Sequence, residues 1–281
     1  MNKIILIDGN NLLYRSYFAT AYNGNMMRNS KNFPTNALYG LLNMLNKIIN
    51  EEKPTHIMIA FDKGKTFRHD KYDTYKAGRM ETPDDLKLQF KKAYELVEIL
   101  GITHFEIDNY EADDIIGTFA SYIENTNDTT GLIISSDKDL LQLISDKVVV
   151  KLLKSSDHIM MTRDKFKEVY SGIEPIRMID LKALMGDSSD NIPGVRGVGE
   201  KTALGLLSKY ESLDGVYDNL ENVTPKLREK LTLDKENAYM SYDLATIYKH
   251  VPIEISLENI EYKGINYYQY EKLLMRKSLL I

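Results

Sequence analysis

Through the first half of the chain, short runs rich in Ile and Val alternate with stretches whose apolar residues recur at helical spacing, and several of the runs close on acids. KIILID ends in Asp8, IMIAFD in Asp62, and GLIISSDKD in Asp137 and Asp139. Such alternation restricts the chain to an α/β architecture, a mostly parallel sheet flanked by helices. Strands are predicted at about 3–8, 56–61, 102–107, 131–135 and 147–153. The segment Thr35–Glu51 places Leu38, Leu41, Leu42, Leu45 and Ile48 on one helical face. Thr82-Pro83-Asp84-Asp85 reads as a helix start, with a hydroxyl cap, proline at the first position and acids in the first turn; Gly101 is its stop. In a parallel sheet the carboxyl ends of the strands share one edge, and ligands bind there. Glu111, Asp113 and Asp114 open a helix, and the loop GDSSDN adds Asp187 and Asp190. Nine carboxylates at one edge cannot all stay ionised without cations.

Hard oxygen ligands without His or Cys point to Mg²⁺ or Mn²⁺ rather than zinc. Two such ions ~3.5–4 Å apart can clamp the attacking and leaving oxygens of a phosphoryl displacement. The bland alternatives are helix N-terminal acids for Glu111, Asp113 and Asp114, turn caps for Asp8 and Asp62, and Asx turns for Asp187 and Asp190. The joint pattern favours the metal site. The chain has no cysteine, which excludes disulfides, zinc–thiolate sites and thiol nucleophiles. No apolar run approaches the ~18 residues of a membrane span. The N-terminus lacks the features of a signal peptide, so a reducing cytoplasm is the expected setting. The net charge is −5, but without the nine clustered acids the remainder carries +4. A basic surface beside a metal-neutralised acidic pocket suits a polyanion.

Beyond about residue 160 strands give way to helices, predicted at roughly 163–171, 175–186, 199–209, 225–232 and 235–248. Two domains are expected, an α/β core over 1–160 and a helical lobe over 161–281 packed on it. Lys63–Met80 reads KGKTFRHDKYDTYKAGRM, a basic, aromatic-bearing excursion able to grip a phosphodiester backbone and stack bases. Within it, Lys76 and Arg79 are either a solvated basic surface or electrophiles for a phosphate oxygen. Gly194, Gly197 and Gly199, followed by Lys201-Thr202, form a glycine-rich turn between helical segments. The spacing fails that of a P-loop, because Glu200 intervenes and no strand precedes it. A hairpin holding a DNA backbone through amides at a helix start fits better.

The segments LIDGNNLLYRSYFA, FPTNALYG, IAFDKGKTFRHDKYDTYKAGR, YEADDIIGTFA, ISSDKDLLQLIS and LMGDSSDNIPGVRGVGEKTALGLL follow one another in order. Together they resemble the bacterial 5′ nucleases of the flap endonuclease family, over roughly residues 3–210, with ENAYMSYDLATI similar to a later segment. The resemblance implies a PIN-like nuclease core, a helical arch over about 66–100 and a helix–two-turn–helix element at about 176–210. One metal group would comprise Asp8, Asp62, Glu111 and Asp113, with Asp114 joining the cluster. The other would comprise Asp137, Asp139, Asp187 and Asp190. Asp8, Asp62, Asp113, Asp139, Lys76 and Arg79 would carry catalysis, and Arg68, Tyr75, Lys76 and Arg79 would contact DNA. Gly194, Arg196, Gly197, Gly199, Lys201 and Thr202 would hold the duplex, with a K⁺ ion at the hairpin.

The implied activity is metal-dependent 5′–3′ exonuclease and flap endonuclease cleavage that leaves 5′-phosphates. The implied substrates are 5′ flaps, nicks, gaps and RNA primer remnants. A monomer is expected, acting with a polymerase and ligase in trans, because no polymerase region follows Ile281. Two other classes remain: a DNA-structure-binding protein that does not cleave, and a nucleotide phosphatase or kinase.

Overall fold

The structure is a computed structural model that describes residues 1–21, 26–155, 157–266 and 268. In chain order the elements are β1 (Asn2–Asp8), α1 (Gly9–Ala21), α2 (Asn36–Glu52), β2 (His56–Ala60), α3 (Phe67–Lys71), α4 (Asp84–Ile99), β3 (Thr103–Phe105), α5 (Ala112–Asn125) and β4 (Thr129–Ser135). There follow β5 (Val148–Leu153), β6 (His158–Met161), α6 (Arg163–Val169), α7 (Met178–Met185), α8 (Glu200–Tyr210), α9 (Leu213–Asp218), α10 (Pro225–Leu233) and α11 (Lys235–Ala245). The chain forms two compact units, and it crosses between them more than once. One unit takes Met1–Gly64, Glu81–Ser136 and the segment from Lys249; the other takes Lys65–Met80 and Asp137–Tyr248.

The first unit is built on four parallel strands in the order β3-β2-β1-β4, with Asp8 opposite Ala60, Ile7 opposite Ile134 and Ala60 opposite Phe105. Strand β1 is continuous in apolar residues because both of its faces are covered, as parallel strands between helices require. Ile4, Ile5, Leu6 and Ile7 are wholly buried, as is every residue from Ile57 to Ala60. Helix α5 packs against β1, β2 and β4, while α1, α2 and α4 pack on one another. The predicted stripe of α2 is its buried face. Helix α4 begins one residue later than its sequence suggests, with Pro83 at the cap position. The Pro83 carbonyl accepts from the Leu86 and Lys87 amides, while the Thr82 hydroxyl meets the Tyr14 hydroxyl. Gly101, at φ 75°, stops the helix as expected. The tail closes this unit: the Tyr262 amide donates to Thr55 O, the Asn266 amide to Ile99 O, and the Thr103 hydroxyl to Asn259 O.

The second unit holds the antiparallel pair β5–β6, helices α6 to α11, and the basic segment containing α3. Helices α6, α8 and α10 lie where periodicity predicts them; α7 is preceded by a 3-10 turn at Pro175–Arg177, and α11 ends earlier, at Ala245. Strand β6 and helix α9 were not legible. The strand is only HIMM, and the six-residue helix rests on its Ser212 cap, whose side chain accepts from the Gly215 amide. The expected arch over about 66–100 is divided. Residues 65–80 belong to the second unit, whereas α4 belongs to the first and buries Leu86, Gln89, Ala93, Leu96 and Val97.

Candidate active site

In the first unit, the parallel strands deliver their carboxyl ends to one edge, and the acids there are held by neutral donors. Asp8 closes β1; its Oδ1 accepts from the Asn11 amide at 2.9 Å and its Oδ2 from the Ser135 hydroxyl, at the end of β4, at 2.9 Å. Asp62 follows β2. It exchanges two bonds with Asn10, accepting from Nδ2 at 3.0 Å and donating its amide to Oδ1 at 3.1 Å. Its other oxygen accepts from the Ala112 amide at 2.8 Å, at the start of α5. Glu111 caps that helix, Asp113 lies partly exposed in its first turn, and Asp114 is wholly buried. Asp114 accepts from the Glu111 amide at 3.0 Å in a capping box, so its position is explained by helix initiation as well as by charge. Gly9 lets the chain turn directly from β1 into α1, since a Cβ there would lie 2.5 Å from the Phe61 ring and 2.8 Å from Ala60 O. The DGNN run, with the SS pair ending β4, is the signal for these supporting residues.

In the second unit the acids are held by cations. Helix α7 ends at Met185; Gly186, at φ 74°, turns the chain, and Asp187 and Ile192 form an antiparallel bridge. A side chain at Gly186 would meet Ile192 O at 2.7 Å, so the turn requires glycine. This places Asp187 Oδ2 2.5 Å from the Lys182 ammonium, while Oδ1 accepts from the Ser189 amide and hydroxyl. The same ammonium contacts Asp139 Oδ1, a buried oxygen that no hydrogen bond otherwise satisfies. Asp137 accepts from the Asp139 amide at 2.8 Å. Asp190 is bound by Arg79 at 2.5 Å and by the Tyr75 hydroxyl at 3.3 Å, with Lys76 Nζ 4.0 Å away. The backbone adds a further tie, since the Lys76 amide donates to Asp190 O.

These surroundings act on the acids unequally. Burial pushes the Asp137 carboxyl above its ordinary range; Lys182, Lys76 and Arg79 pull against it, and Asp190 adds to it. For Asp187, burial also pushes upward but is outweighed by the Lys182 charge and by the bonds from Lys182 and Ser189, which hold the carboxyl at about 2.

Two of the expected DNA contacts are buried. Arg68 is buried, and its guanidinium donates to Leu244 O at 3.0 Å and Thr246 O at 2.7 Å, which ties α3 to the end of α11. Tyr75 is also buried, packed with Ile179, Ile192, Leu244 and Ala245 and edge-on to His69, so its ring is no stacking platform. The resemblance implied DNA contact for both, and a motif match looks the same whether a side chain docks or projects. In the glycine-rich turn, Gly194 and Gly197 take φ of 59° and 73°, and Gly199 caps α8. Gly194 is buried with its amide on Ser241 Oγ, whereas Arg196, Gly197, Gly199, Lys201 and Thr202 are exposed.

Among the described residues, no three carboxylates or imidazoles are already gathered as ligands around one point. The acids of the two expected groups fall one group to each unit, and their oxygens are engaged by hydroxyls, amides and the chain's own cations. The donor set still fits a hard divalent ion. It is all oxygen, the sequence has no cysteine, and Asp139 presents a buried oxygen that makes no hydrogen bond and lies against the Lys182 ammonium.

Residues 3–171 match the family described as 5′–3′ exonuclease, N-terminal resolvase-like domain, and residues 173–268 match 5′–3′ exonuclease, C-terminal SAM fold. The chain is 45% identical over 268 residues to DNA polymerase I of Bacillus subtilis (strain 168), covering 94% of this chain and 30% of that protein. It is 45% identical over 267 residues to DNA polymerase I of Streptococcus pneumoniae (strain ATCC BAA-255 / R6), covering 93% of this chain and 30% of that one. The chain thus spans about a third of the length of these relatives. Among solved structures, T5 5′-exonuclease with bound divalent zinc aligns with a TM-score of 0.73 at 23% identity, covering 88% of this chain and 90% of that one. The catalytic core of Rad2 in complex with DNA substrate aligns with a TM-score of 0.63 at 15% identity, covering all of this chain and 88% of that one. These two likenesses establish the fold.

Proposed function

Since this chain belongs to the 5′–3′ exonuclease family, we propose that it is a structure-specific 5′ nuclease. It hydrolyses DNA phosphodiesters at 5′ flaps, nicks, gaps and RNA primer remnants and leaves 5′-phosphates. The observation that carries this reading is the second acidic group: four carboxylates, one with a buried oxygen that makes no hydrogen bond, beside Lys76 and Arg79 in the same unit.

Mg²⁺ or Mn²⁺ ions would be held by Asp8, Asp62, Glu111 and Asp113 in one group and by Asp137, Asp139, Asp187 and Asp190 in the other. When bound, they supply Lewis acidity toward water and phosphate oxygens. The chain's own part is positioning. Asn10, Asn11 and Ser135 fix the rotamers of Asp8 and Asp62, so those oxygens are aimed before substrate arrives. Lys76 and Arg79 exchange Asp190 for the scissile phosphate and neutralise the charge that develops on it. The Gly197–Thr202 turn and the start of α8 hold the duplex backbone, with a K⁺ ion at the turn. Recognition is of backbone and structure rather than of base sequence. The terminal nucleotides unpair to reach the acids, which is least costly for an existing flap.

The protein acts as a monomer in the cytoplasm, with a polymerase and a ligase as partners. Among the described residues no helix is long and apolar enough to cross a membrane. The test is product mapping on a 5′-labelled flap duplex. Mg²⁺-dependent products that carry 5′-phosphates are expected, and their loss with chelator. Binding without metal-dependent cleavage would overturn the reading in favour of a structure-binding protein.

A further inference from the structure

Lys182 carries a charge that neither the fold nor the acids of the site require by themselves. Its side chain is only 9% exposed, and its ammonium lies against Asp139 Oδ1 and Asp187 Oδ2. A buried lysine must be paired, and this one is paired twice. The two acids come from separate segments, the turn after Lys138 and the loop after α7. The ammonium bridges them. It also faces the one described buried side-chain oxygen that has no hydrogen bond. A divalent ion binding these carboxylates needs the same oxygens at about 2.0–2.1 Å. An ammonium and a divalent cation cannot share that seat, because their repulsion would act across a few ångströms of poorly screened interior. Lysine is suited to leaving: it is a compact charge on a flexible four-carbon stem, with none of the fixed fork of arginine.

We propose that Lys182 is the resident counter-cation of the second carboxylate group, holding Asp139 and Asp187 together in the metal-free protein and giving up its place when a divalent ion enters. The proposal rests on the metal reading above. It means that divalent affinity at this group is set by competition with a charge built into α7. It also gives the metal-free protein an intact acidic group in place of a repelling one.

The experiment is calorimetric titration of Mn²⁺, without DNA, into the full chain carrying Asp113→Asn, which impairs the first group so that the second is read. Adding Lys182→Met is expected to tighten the remaining site on the order of tenfold. It should also lower the metal-free melting temperature and enlarge the rise in melting temperature on Mn²⁺ addition. Lys182→Arg, which keeps the charge, should bind no tighter than its parent. Unchanged or weaker Mn²⁺ binding in Lys182→Met overturns the proposal while leaving the metal reading intact, since the ion pair would then be a fixed support for the ligands. Absence of saturable Mn²⁺ binding in the parent overturns both. If Lys182→Met does not fold, the lysine ¹⁵N side-chain resonance of Lys182 in the parent decides. Its loss from the paired position on Mn²⁺-free Ca²⁺ saturation supports displacement, and its persistence overturns it.

Discussion

At the scale of single residues, the two acidic groups differ in what restrains them. Asp8 and Asp62 accept from amides, a hydroxyl and an asparagine. Asp187 and Asp190 lean on Lys182 and Arg79. The carboxyl of Asp187, held at about 2, is depressed below its unfolded value near 3.8. An acid depressed on folding contributes stability that is fully present above the unfolded value and is lost as pH falls through the folded one. The second unit should therefore lose about 2 kcal/mol from this group between about pH 4 and pH 2. Urea unfolding in Asp187→Asn should show a shallower acid limb, and an unaltered limb would refute the assignment. For the chemistry, Asp139→Asn and Lys76→Ala should each keep flap binding within a few-fold while single-turnover cleavage falls by at least about a hundredfold. Cleavage at the parent rate in either variant would remove that residue from the reaction. The acids were readable because strand ends in a parallel sheet have only one place to go. Asn10, Asn11 and Ser135 were signalled only by the DGNN run and the SS pair, and Lys182 by nothing local, because its partners Asp139 and Asp187 lie outside its own helix. The burial of Arg68 and Tyr75 was not legible either, since a motif match reports a residue's chemistry but not its burial.

At the scale of elements, local rules and packing agree over most of the chain. Helix α2 follows its leucine stripe, α4 stops at Gly101, and β1 and β2 are the continuous apolar runs of doubly covered strands. Disagreement falls where tertiary demand overrides local chemistry. Thr82 has the right side chain to cap α4 but meets Tyr14 instead. The loop from Gly186 to Gly194 shows the same override in backbone form: its two glycines permit a close approach that no side chain would allow, and the acids between them inherit its geometry. The turn before α8 makes a separate demand. Its exposed Arg196, Lys201 and Thr202 stand beside amides that α8 leaves free at its first turn. Lys201→Ala should weaken binding to a plain duplex and reduce the salt slope of the logarithm of affinity by about one charge. A parent-like slope would mean that Lys201 touches no phosphate.

At the scale of the whole molecule, the net charge of −5 misrepresents the surface offered to a polyanion, since nine acids belong to the two groups and the remainder carries +4. The division of those acids between the units was foreshadowed by the two metal groups, but the path of the chain was not. A cut near residue 160 was the expected boundary, whereas the compact units exchange segments at residues 64–65, 80–81, 136–137 and 248–249. The tail from Lys249 returns to bond with Thr55, Ile99 and Thr103 of the first unit. A chain ending at Tyr248 should therefore unfold at lower urea, with faster amide exchange along β2 and at the end of α4; parent-like exchange there would show that the tail is dispensable. The interleaving has a consequence during synthesis. Domains ordinarily fold in sequence as they leave the ribosome, the N-terminal one first. Here segments made early share a unit with segments made much later. The basic segment at 65–80 finds its partners in α11 only after well over a hundred further residues have emerged. The second acidic group should therefore not be finished on a nascent chain before α11 has emerged, so a chain stalled short of α11 would carry the acidic motifs without their assembled surroundings.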